Sequence, residues 1–118
     1  MKILIAEDDA TSALLLRRAL TKGGYDVTVA RDGIVALTAI KQEPFDALIT
    51  DWMMPRMDGI ELTRQVREIV NVIIVVTALD SVEARAHALE AGADDYLAKP
   101  YQLRTILEVL ENCLAQKH

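Results

Sequence analysis

Five short apolar runs alternate along the chain with longer segments in which apolar residues recur at helical spacing. The runs around Ile3, Leu48 and Ile74 are apolar at nearly every position, as expected for parallel strands that are covered on both faces. In the segments between the runs, pairs such as Ile106 and Leu110 are spaced as on one face of an α-helix. Strict alternation of strand and helix predicts an α/β fold with right-handed crossovers and a doubly wound parallel sheet.

Turn and cap residues set the limits of ten predicted elements. Gly23 and Gly92 suit helix C-termini, Ser81 offers a hydroxyl N-cap, and Pro44 cannot continue the helix before it. The predicted strands cover residues 2–6, 25–29, 45–50, 72–76 and 94–98. The predicted helices cover residues 10–22, 33–42, 59–70, 82–91 and 103–116, with Leu62, Val66 and Ile69 on the buried face of the third helix.

The composition fits one compact domain over residues 1–118. Hydrophobic residues make up 52% of the chain, which is enough for a single core at this length. The net charge of −5 argues against direct nucleic-acid binding, because contacts to phosphate backbones need clustered Lys and Arg. No apolar run approaches the roughly 20 residues of a membrane-spanning helix, so no membrane contact is expected. The N-terminus lacks a signal-peptide pattern and Cys113 has no internal partner, so we expect a cytoplasmic protein with Cys113 in or near the core.

Polar side chains follow the apolar runs at the points where the strands should end. Asp8 and Asp9 follow the first run, Asp51 the third, Thr77 the fourth and Lys99 the fifth. Crowded carboxylates repel one another unless a cation neutralises them, and a hard ion such as Mg²⁺ prefers oxygen ligands. With the ion in place, one carboxylate can attack phosphorus while a Lys and a Thr bind the phosphoryl oxygens. The pattern therefore predicts an aspartyl phosphate.

These residues belong to a longer pattern of five segments. The pattern comprises Glu7-Asp8-Asp9, then Asp51, then Met-Pro-Arg-Met-Asp-Gly at 54–59, then Thr77-Ala78, and finally Gly-Ala-Asp-Asp-Tyr-Leu-Ala-Lys-Pro at 92–100. Over essentially the whole chain, this combination resembles the receiver domain of two-component response regulators. The resemblance implies a flavodoxin-like (βα)5 fold with strand order 2-1-3-4-5, for which a receiver is a standard example. Periodicity alone does not give that order.

The resemblance also implies a role for each residue of the acidic site. Asp51 matches the phosphoacceptor, Asp9 the direct Mg²⁺ ligand, and Asp8 the acid that holds the ion through water; Mn²⁺ is expected to substitute. Met53 matches the position whose backbone carbonyl binds the ion. From the residues alone, Asp51 also fits a turn before Pro55, and Asp9 also fits an N-cap for the first helix.

The remaining motif residues match the phosphoryl-binding and switch positions of the family. Lys99 matches the lysine that pairs with the phosphoryl group, and the resemblance implies a cis bond between Lys99 and Pro100. Thr77 matches the switch hydroxyl. Tyr96 matches the aromatic switch residue, although a half-buried strand aromatic without a switching role explains it about as well.

The expected function is phosphoryl transfer to Asp51 from a sensor histidine kinase or a phosphotransfer protein, without sustained enzymatic turnover. The expected output is a change on the surface of helix 4, strand 5 and helix 5, read by an output domain or partner, with a homodimer as a further possibility. Two alternatives stay open: a phosphorylation-independent binding module with this fold, and a Mg²⁺-dependent phosphohydrolase. The hydrolase typically needs a second acid two residues after the nucleophile, where this chain has Met53. His87 and His118 are interpreted as solvated residues.

Overall fold

The computed structural model describes residues 1–117 and shows five β-strands that alternate strictly with five α-helices. His118 lies outside the described residues. The elements in chain order are β1 (Lys2–Ala6), α1 (Ala10–Lys22), β2 (Asp26–Ala30), α2 (Gly33–Gln42), β3 (Ala47–Asp51), α3 (Gly59–Val66), β4 (Val72–Thr77), α4 (Val82–Ala91), β5 (Asp95–Ala98) and α5 (Leu103–Gln116).

The five strands form one parallel sheet in the order β2-β1-β3-β4-β5. Both the α/β fold and the flavodoxin-like strand order are confirmed. Ala6 at the end of β1 pairs with Thr50 of β3, and Asp51 pairs with Val76 of β4. The residues that follow β1, β3 and β4 therefore meet at the same edge of the sheet, which is the edge where ligands bind in folds of this class.

Each face of the sheet is covered by helices, and side chains alternate between the two faces along every strand. Ile3 and Ile5 pack in one hydrophobic cluster with residues of α1 and α5. Leu4 and Ala6 pack in a second cluster with residues of α2, α3 and α4. Cys113 lies in the first cluster and is buried, as predicted. No helix among residues 1–117 is long and apolar enough to cross a membrane.

Helix α3 is four residues shorter than predicted, so the expectation that Ile69 is buried is wrong. The backbone amides of Ile69 and Val70 both donate to the carbonyl of Val66, at 2.8 and 2.9 Å. The bond from Ile69 spans three residues instead of four, so a tighter turn ends the helix. As a result 56% of Ile69 is exposed, while Val70 takes the buried place. Ile69 and Val70 are both apolar, so the spacing of apolar residues in the sequence did not show where the helix ends.

Strands β3 and β5 start two residues and one residue later than predicted, because aspartate side chains replace backbone acceptors at the entrances of these strands. The amide of Lys2 donates to Asp46 Oδ2 at 2.8 Å, and the amide of Ile73 donates to Asp94 Oδ2 at 2.8 Å. Each aspartate therefore precedes its strand instead of belonging to it. Observed against predicted, the strands are 26–30 against 25–29, 47–51 against 45–50, 72–77 against 72–76, and 95–98 against 94–98.

Four helices begin at a side-chain cap that accepts a hydrogen bond from the amide three residues later. The cap residues are Asp9 for α1, Asp32 for α2, Asp58 for α3 and Ser81 for α4. Such caps stabilise a helix by about 1 kcal/mol each. The predicted role of Ser81 is confirmed.

Helix α4 contacts the core through small side chains only. Its buried residues are Ala84, Ala88 and Ala91, whereas Val82 and Leu89 are exposed. The other helices of the domain bury larger side chains, such as Leu16 and Leu20 of α1.

Gly59 allows the segment after β3 to return to the end of that strand. Its amide donates to the carbonyl of Trp52 at 2.8 Å. A Cβ atom at this position would lie 2.0 Å from the carbonyl oxygen of Asp51 and 3.1 Å from Thr50 Oγ1. Both neighbours belong to a buried strand, so they cannot move aside cheaply.

We expect Gly59→Ala to lower the free energy of unfolding by roughly 2–3 kcal/mol or more, because the added methyl group overpacks a rigid site. Urea unfolding followed by circular dichroism measures this change. Gly23→Ala is the matched control, since a Cβ at Gly23 would come no closer than 3.3 Å to Leu107 Cδ2 and the carbonyl oxygen of Leu20. Equal losses in the two variants would contradict the assigned clash.

Candidate functional site

Three carboxylates converge at the carboxyl edge of the sheet. Glu7 directly follows β1, Asp8 is its neighbour, and Asp51 is the last residue of β3. One carboxylate oxygen from each lies within 4.8 Å of the others, and we call these three residues the carboxylate cluster. Glu7 and Asp51 are only 6% and 9% exposed, whereas Asp8 faces solvent.

Lys99 joins the two buried members of the carboxylate cluster. Its Nζ donates to Glu7 Oε1 at 2.9 Å and to Asp51 Oδ2 at 3.0 Å. The amide of Lys99 donates to the carbonyl of Thr77 at 2.7 Å, which places the lysine at the end of β4. The bond between Lys99 and Pro100 is cis, as the family resemblance predicted.

Burial and hydrogen bonding shift the pKa values of both Lys99 and Glu7. Burial acts to lower the pKa of Lys99, but the hydrogen bonds to Glu7 and Asp51 outweigh it and raise that pKa above its ordinary value. Burial raises the pKa of Glu7, and the hydrogen bond from Lys99 offsets part of this increase. The ammonium group is therefore firmly charged, while Glu7 carries its charge at a cost.

Both side-chain oxygens of Asp51 have defined partners. Oδ2 accepts from Lys99, and Oδ1 accepts from the amide of Trp52 at 2.8 Å. The main-chain carbonyl of Asp51 accepts from Thr50 Oγ1 at 2.8 Å. These bonds hold the carboxylate at the opening of the site in one orientation, as a nucleophile requires.

Asp9 is separate from the carboxylate cluster. Its carboxylate caps α1 and accepts from the amide of Ser12 at 3.0 Å. The hydrogen bonds from Ser12 hold the pKa of Asp9 below its ordinary value. The structure therefore supports the N-cap interpretation, and it brings Glu7 together with Asp8 and Asp51 in the place where Asp9 was expected.

Glu7 is the site residue that the sequence reasoning did not assign to the metal. A signal for it was present, because α1 needs a cap at Asp9 and that cap commits the Asp9 side chain to the helix. The two acids before the cap are then the ones left for the sheet edge. The amide of Asp9 donates to Glu7 Oε2 at 3.2 Å, which adds to the orientation of Glu7.

The other three predicted site residues, Thr77, Tyr96 and Met53, differ in how far they are buried. Thr77 ends β4, is almost fully buried, and accepts through Oγ1 from the amide of Leu79 at 3.2 Å. Tyr96 is 5% exposed, more buried than the half-buried alternative, and its hydroxyl has no hydrogen-bond partner within residues 1–117. Burial raises its pKa. Met53 is 66% exposed, and the role of its backbone carbonyl stays a prediction.

The donor set of the carboxylate cluster suits a hard divalent cation. All three side chains offer oxygen atoms, and the three negative charges exceed the single positive charge of Lys99. Mg²⁺ and Mn²⁺ bind such oxygen-rich, negatively charged sites. The exposed position of Asp8 leaves one side of the cluster open to solvent.

Comparison with known proteins decides the family. The family model described as "Response regulator receiver domain" matches residues 3–111. The chain belongs to the receiver domain family. Receiver domains act in two-component systems, where they work with histidine kinases and output domains.

Individual receivers resemble this one along nearly the whole chain. The response regulator MprA of Mycobacterium avium (strain 104) is 48% identical over 109 residues, which are 91% of this chain and 48% of the relative. This chain therefore spans about half the length of the curated relatives it matches.

Two solved structures show the same fold. The receiver domain of the Francisella response regulator 1452 is 35% identical, with a TM-score of 0.93 and coverage of 99% of this chain and 98% of that one. The receiver domain of a sensor histidine kinase from Pseudomonas aeruginosa PAO1 is 32% identical, with a TM-score of 0.86 and coverage of 97% of both chains. That domain has a magnesium ion coordinated in its active site cleft.

We expect Lys99→Met to destabilise this receiver in the absence of divalent ions, by roughly 1–3 kcal/mol, because Glu7 and Asp51 lose their shared counter-charge. Without the hydrogen bond from Lys99, the pKa of Glu7 in the folded protein rises further above its ordinary value. Glu7 then takes up a proton as the pH falls, and the free-energy cost of its buried charge disappears. The loss should therefore be smaller at about pH 5 than at about pH 8.

Urea unfolding in the presence of a chelator measures both values. Lys2→Met is the matched control, because it breaks an ion pair with Glu43 whose side chains are 36% and 45% exposed. Its cost should stay below about 1 kcal/mol. A pH-independent loss in Lys99→Met would contradict the described coupling.

Proposed function

We propose that this receiver accepts a phosphoryl group on Asp51 from the phosphohistidine of a sensor histidine kinase or phosphotransfer protein. One observation carries the proposal: Lys99 lies 3.0 Å from Asp51 Oδ2, at the edge of a cation-suited carboxylate cluster. A nucleophile, a charge for the phosphoryl oxygens and a place for the metal thus occupy one opening. We also propose that residues 1–118 form a single receiver domain.

We propose Mg²⁺ as the cofactor, with Mn²⁺ as a substitute. The ligands would be side chains of the carboxylate cluster, with the backbone carbonyl of Met53 completing the set. The geometry favours Glu7 over Asp9 for this role, because Asp9 is bound to Ser12 as the cap of α1. The ion supplies charge neutralisation for the incoming phosphoryl group.

In the proposed step, a carboxylate oxygen of Asp51 attacks phosphorus and the phosphorus–nitrogen bond of the donor breaks. The electron pair of that bond stays on the departing imidazole, and a mixed anhydride forms on Asp51. Lys99 and the Thr77 hydroxyl bind the phosphoryl oxygens. Positioning and charge neutralisation supply most of the acceleration. The protein is a stoichiometric acceptor that dephosphorylates slowly, not a turnover enzyme.

The response to phosphorylation is proposed to run through Thr77 and Tyr96. Thr77 is close in sequence to α4, and the buried Tyr96 side chain lies on β5 in the same cluster as the alanines of α4. A hydroxyl drawn toward the phosphoryl group therefore favours a different population of α4-β5-α5 surfaces. An output domain or partner protein reads that surface.

The α4-β5-α5 surface is also proposed to form a phosphorylation-dependent homodimer. Arg85 lies 3.6 Å from Asp95, and Lys117 lies 3.1 Å from Asp94, with all four side chains partly exposed. Charged groups of both signs on one surface can exchange partners across a symmetric interface. Light scattering should give a doubled mass after phosphorylation, and an unchanged monomer mass would remove this proposal.

We expect Asp51→Asn to abolish a Mg²⁺-dependent phosphoryl adduct that wild-type protein forms with acetyl phosphate. Intact mass spectrometry with and without Mg²⁺ detects the adduct directly. Asp58→Asn is the matched control, because Asn retains an oxygen for the α3 cap and should leave the adduct unchanged. No adduct on wild type, even with a histidine kinase, would favour the phosphorylation-independent module.

The assignment of the metal ligands gives a second paired test. Asp8→Asn should weaken Mg²⁺ binding by about tenfold or more, because it removes a charge from the carboxylate cluster. Asp9→Asn should bind Mg²⁺ nearly as wild type does, since Asn can still cap α1. Titration of Trp52 fluorescence with Mg²⁺ measures both. The reverse ranking would restore Asp9 as the direct ligand.

A further inference from the structure

The loop that carries Met53 is tied to a neighbouring loop by an ion pair that the proposed reaction does not use. Residues 52–58 connect β3 to the cap of α3. Arg56 in this loop donates to Asp32 Oδ2 through Nη2 at 2.7 Å and through Nε at 3.2 Å. Asp32 lies just after β2 and is only 5% exposed. The pair therefore joins two separate loops at the carboxyl edge of the sheet.

Asp32 serves both loops with different oxygen atoms. Oδ1 accepts from the amide of Val35 at 2.9 Å and caps α2, while Oδ2 is left for Arg56. The hydrogen bond from Val35 lowers the pKa of Asp32, and the Arg56 guanidinium adds to this despite the burial. Asp32 is thus a charged group fixed to the start of a helix, and it makes a rigid anchor for the loop.

The backbone around the pair is held in unusual positions. Arg56 has φ = 69°, a left-handed conformation that residues other than glycine rarely adopt. At Gly33, beside Asp32, a Cβ atom would lie 2.3 Å from the carbonyl oxygen of Met57. The 52–58 loop therefore also touches the first residue of α2, and the contact is too close for any side chain at that position.

Met53 has no buried side chain that could fix the position of its own backbone. Its side chain is 66% exposed, so packing does not determine where its carbonyl points. The ends of the loop are held by the amide of Trp52, which donates to Val76 at 3.0 Å, and by the amide of Gly59, which donates to Trp52. Between these ends, Met54 and Met57 pack against the hydrophobic core, and Arg56 provides the polar side-chain attachment to another element.

We propose that Arg56 and Asp32 are a positioning pair for the cation site. By holding the middle of the 52–58 loop, the pair sets the backbone of Met53 and thereby the affinity of the carboxylate cluster for a divalent ion. The inference rests on the proposed function, since it assumes that the cluster and the Met53 carbonyl bind the ion. It adds two residues that touch neither the ion nor the phosphoryl group.

The test compares Arg56→Gln and Asp32→Asn with wild type by Mg²⁺ titration of Trp52 fluorescence. Trp52 is the sole tryptophan of the chain and directly follows Asp51. Binding of Mn²⁺, counted from the EPR signal of the free ion, gives a second readout. Each variant should bind about threefold to tenfold more weakly, which is at or below the lower limit of the roughly 10–100-fold losses known for groups that contact the metal ligands directly. Asn at position 32 retains an oxygen for the α2 cap.

Three further variants separate the ion pair from other effects. Lys2→Gln breaks an ion pair with Glu43, 3.1 Å long, whose acid is far more exposed than Asp32. The pair lies at the opposite edge of the sheet, so this variant should bind as wild type does. The double variant of Arg56 and Asp32 should bind no more weakly than the weaker single variant, because both changes remove one interaction. Arg56→Gly suits the left-handed backbone but lacks the guanidinium, and should bind as weakly as Arg56→Gln.

Wild-type affinity in Arg56→Gln and Asp32→Asn, with only a lower melting temperature, would show that the pair is merely structural and would overturn the proposal. Wild-type affinity in Arg56→Gly would overturn it as well, by assigning the effect to backbone strain. If Arg56→Gln fails to fold, Arg56→Gly and Asp32→Asn decide the outcome. Failure of wild type to bind either ion would overturn the proposed cation site along with the inference, whereas the other results leave the site intact.

Discussion

The hydrogen bonds from the Lys99 ammonium group to Glu7 and Asp51 are the interactions on which the site depends. Two mostly buried carboxylates lie at adjoining strand ends, and the charge of Asp51 disfavours the ionised form of Glu7, so the pair needs a counter-charge. Lys99 comes from the far end of the chain, 92 residues after Glu7. Parallel pairing of the strands is what brings this charge to the acids, so the sheet topology and the electrostatics of the site require each other.

Helix capping divides the acids of the chain between structure and chemistry. Asp9, Asp32 and Asp58 each begin a helix, whereas Glu7 and Asp8 lie one or two residues earlier and remain available at the sheet edge. A shift of the first helix by one residue would exchange these roles. The start of α1 therefore determines which carboxylates remain at the sheet edge and which one caps the helix.

Much of the fold was predictable, because strands buried on both faces leave uninterrupted apolar runs in the sequence. The strand entrances were not, since Asp46 and Asp94 replace backbone acceptors with side-chain oxygens that periodicity cannot detect. Strand order came from the family resemblance. The sequence pointed to Asp51 and Lys99 as site residues, but the choice between Glu7 and Asp9 depends on where one helix begins, which spacing alone does not resolve.

The buried face of α4 consists of alanines, and this affects how firmly the helix is held in place. Interlocking side chains resist sliding because they must leave one set of grooves before entering another. The buried residues of α4 are Ala84, Ala88 and Ala91, which contribute only single methyl groups to the core. The packing of this helix therefore involves little interlocking of side chains. Of the five helices, α4 buries the smallest side chains. Displacing it would therefore remove less apolar side-chain surface from the core than displacing any other helix.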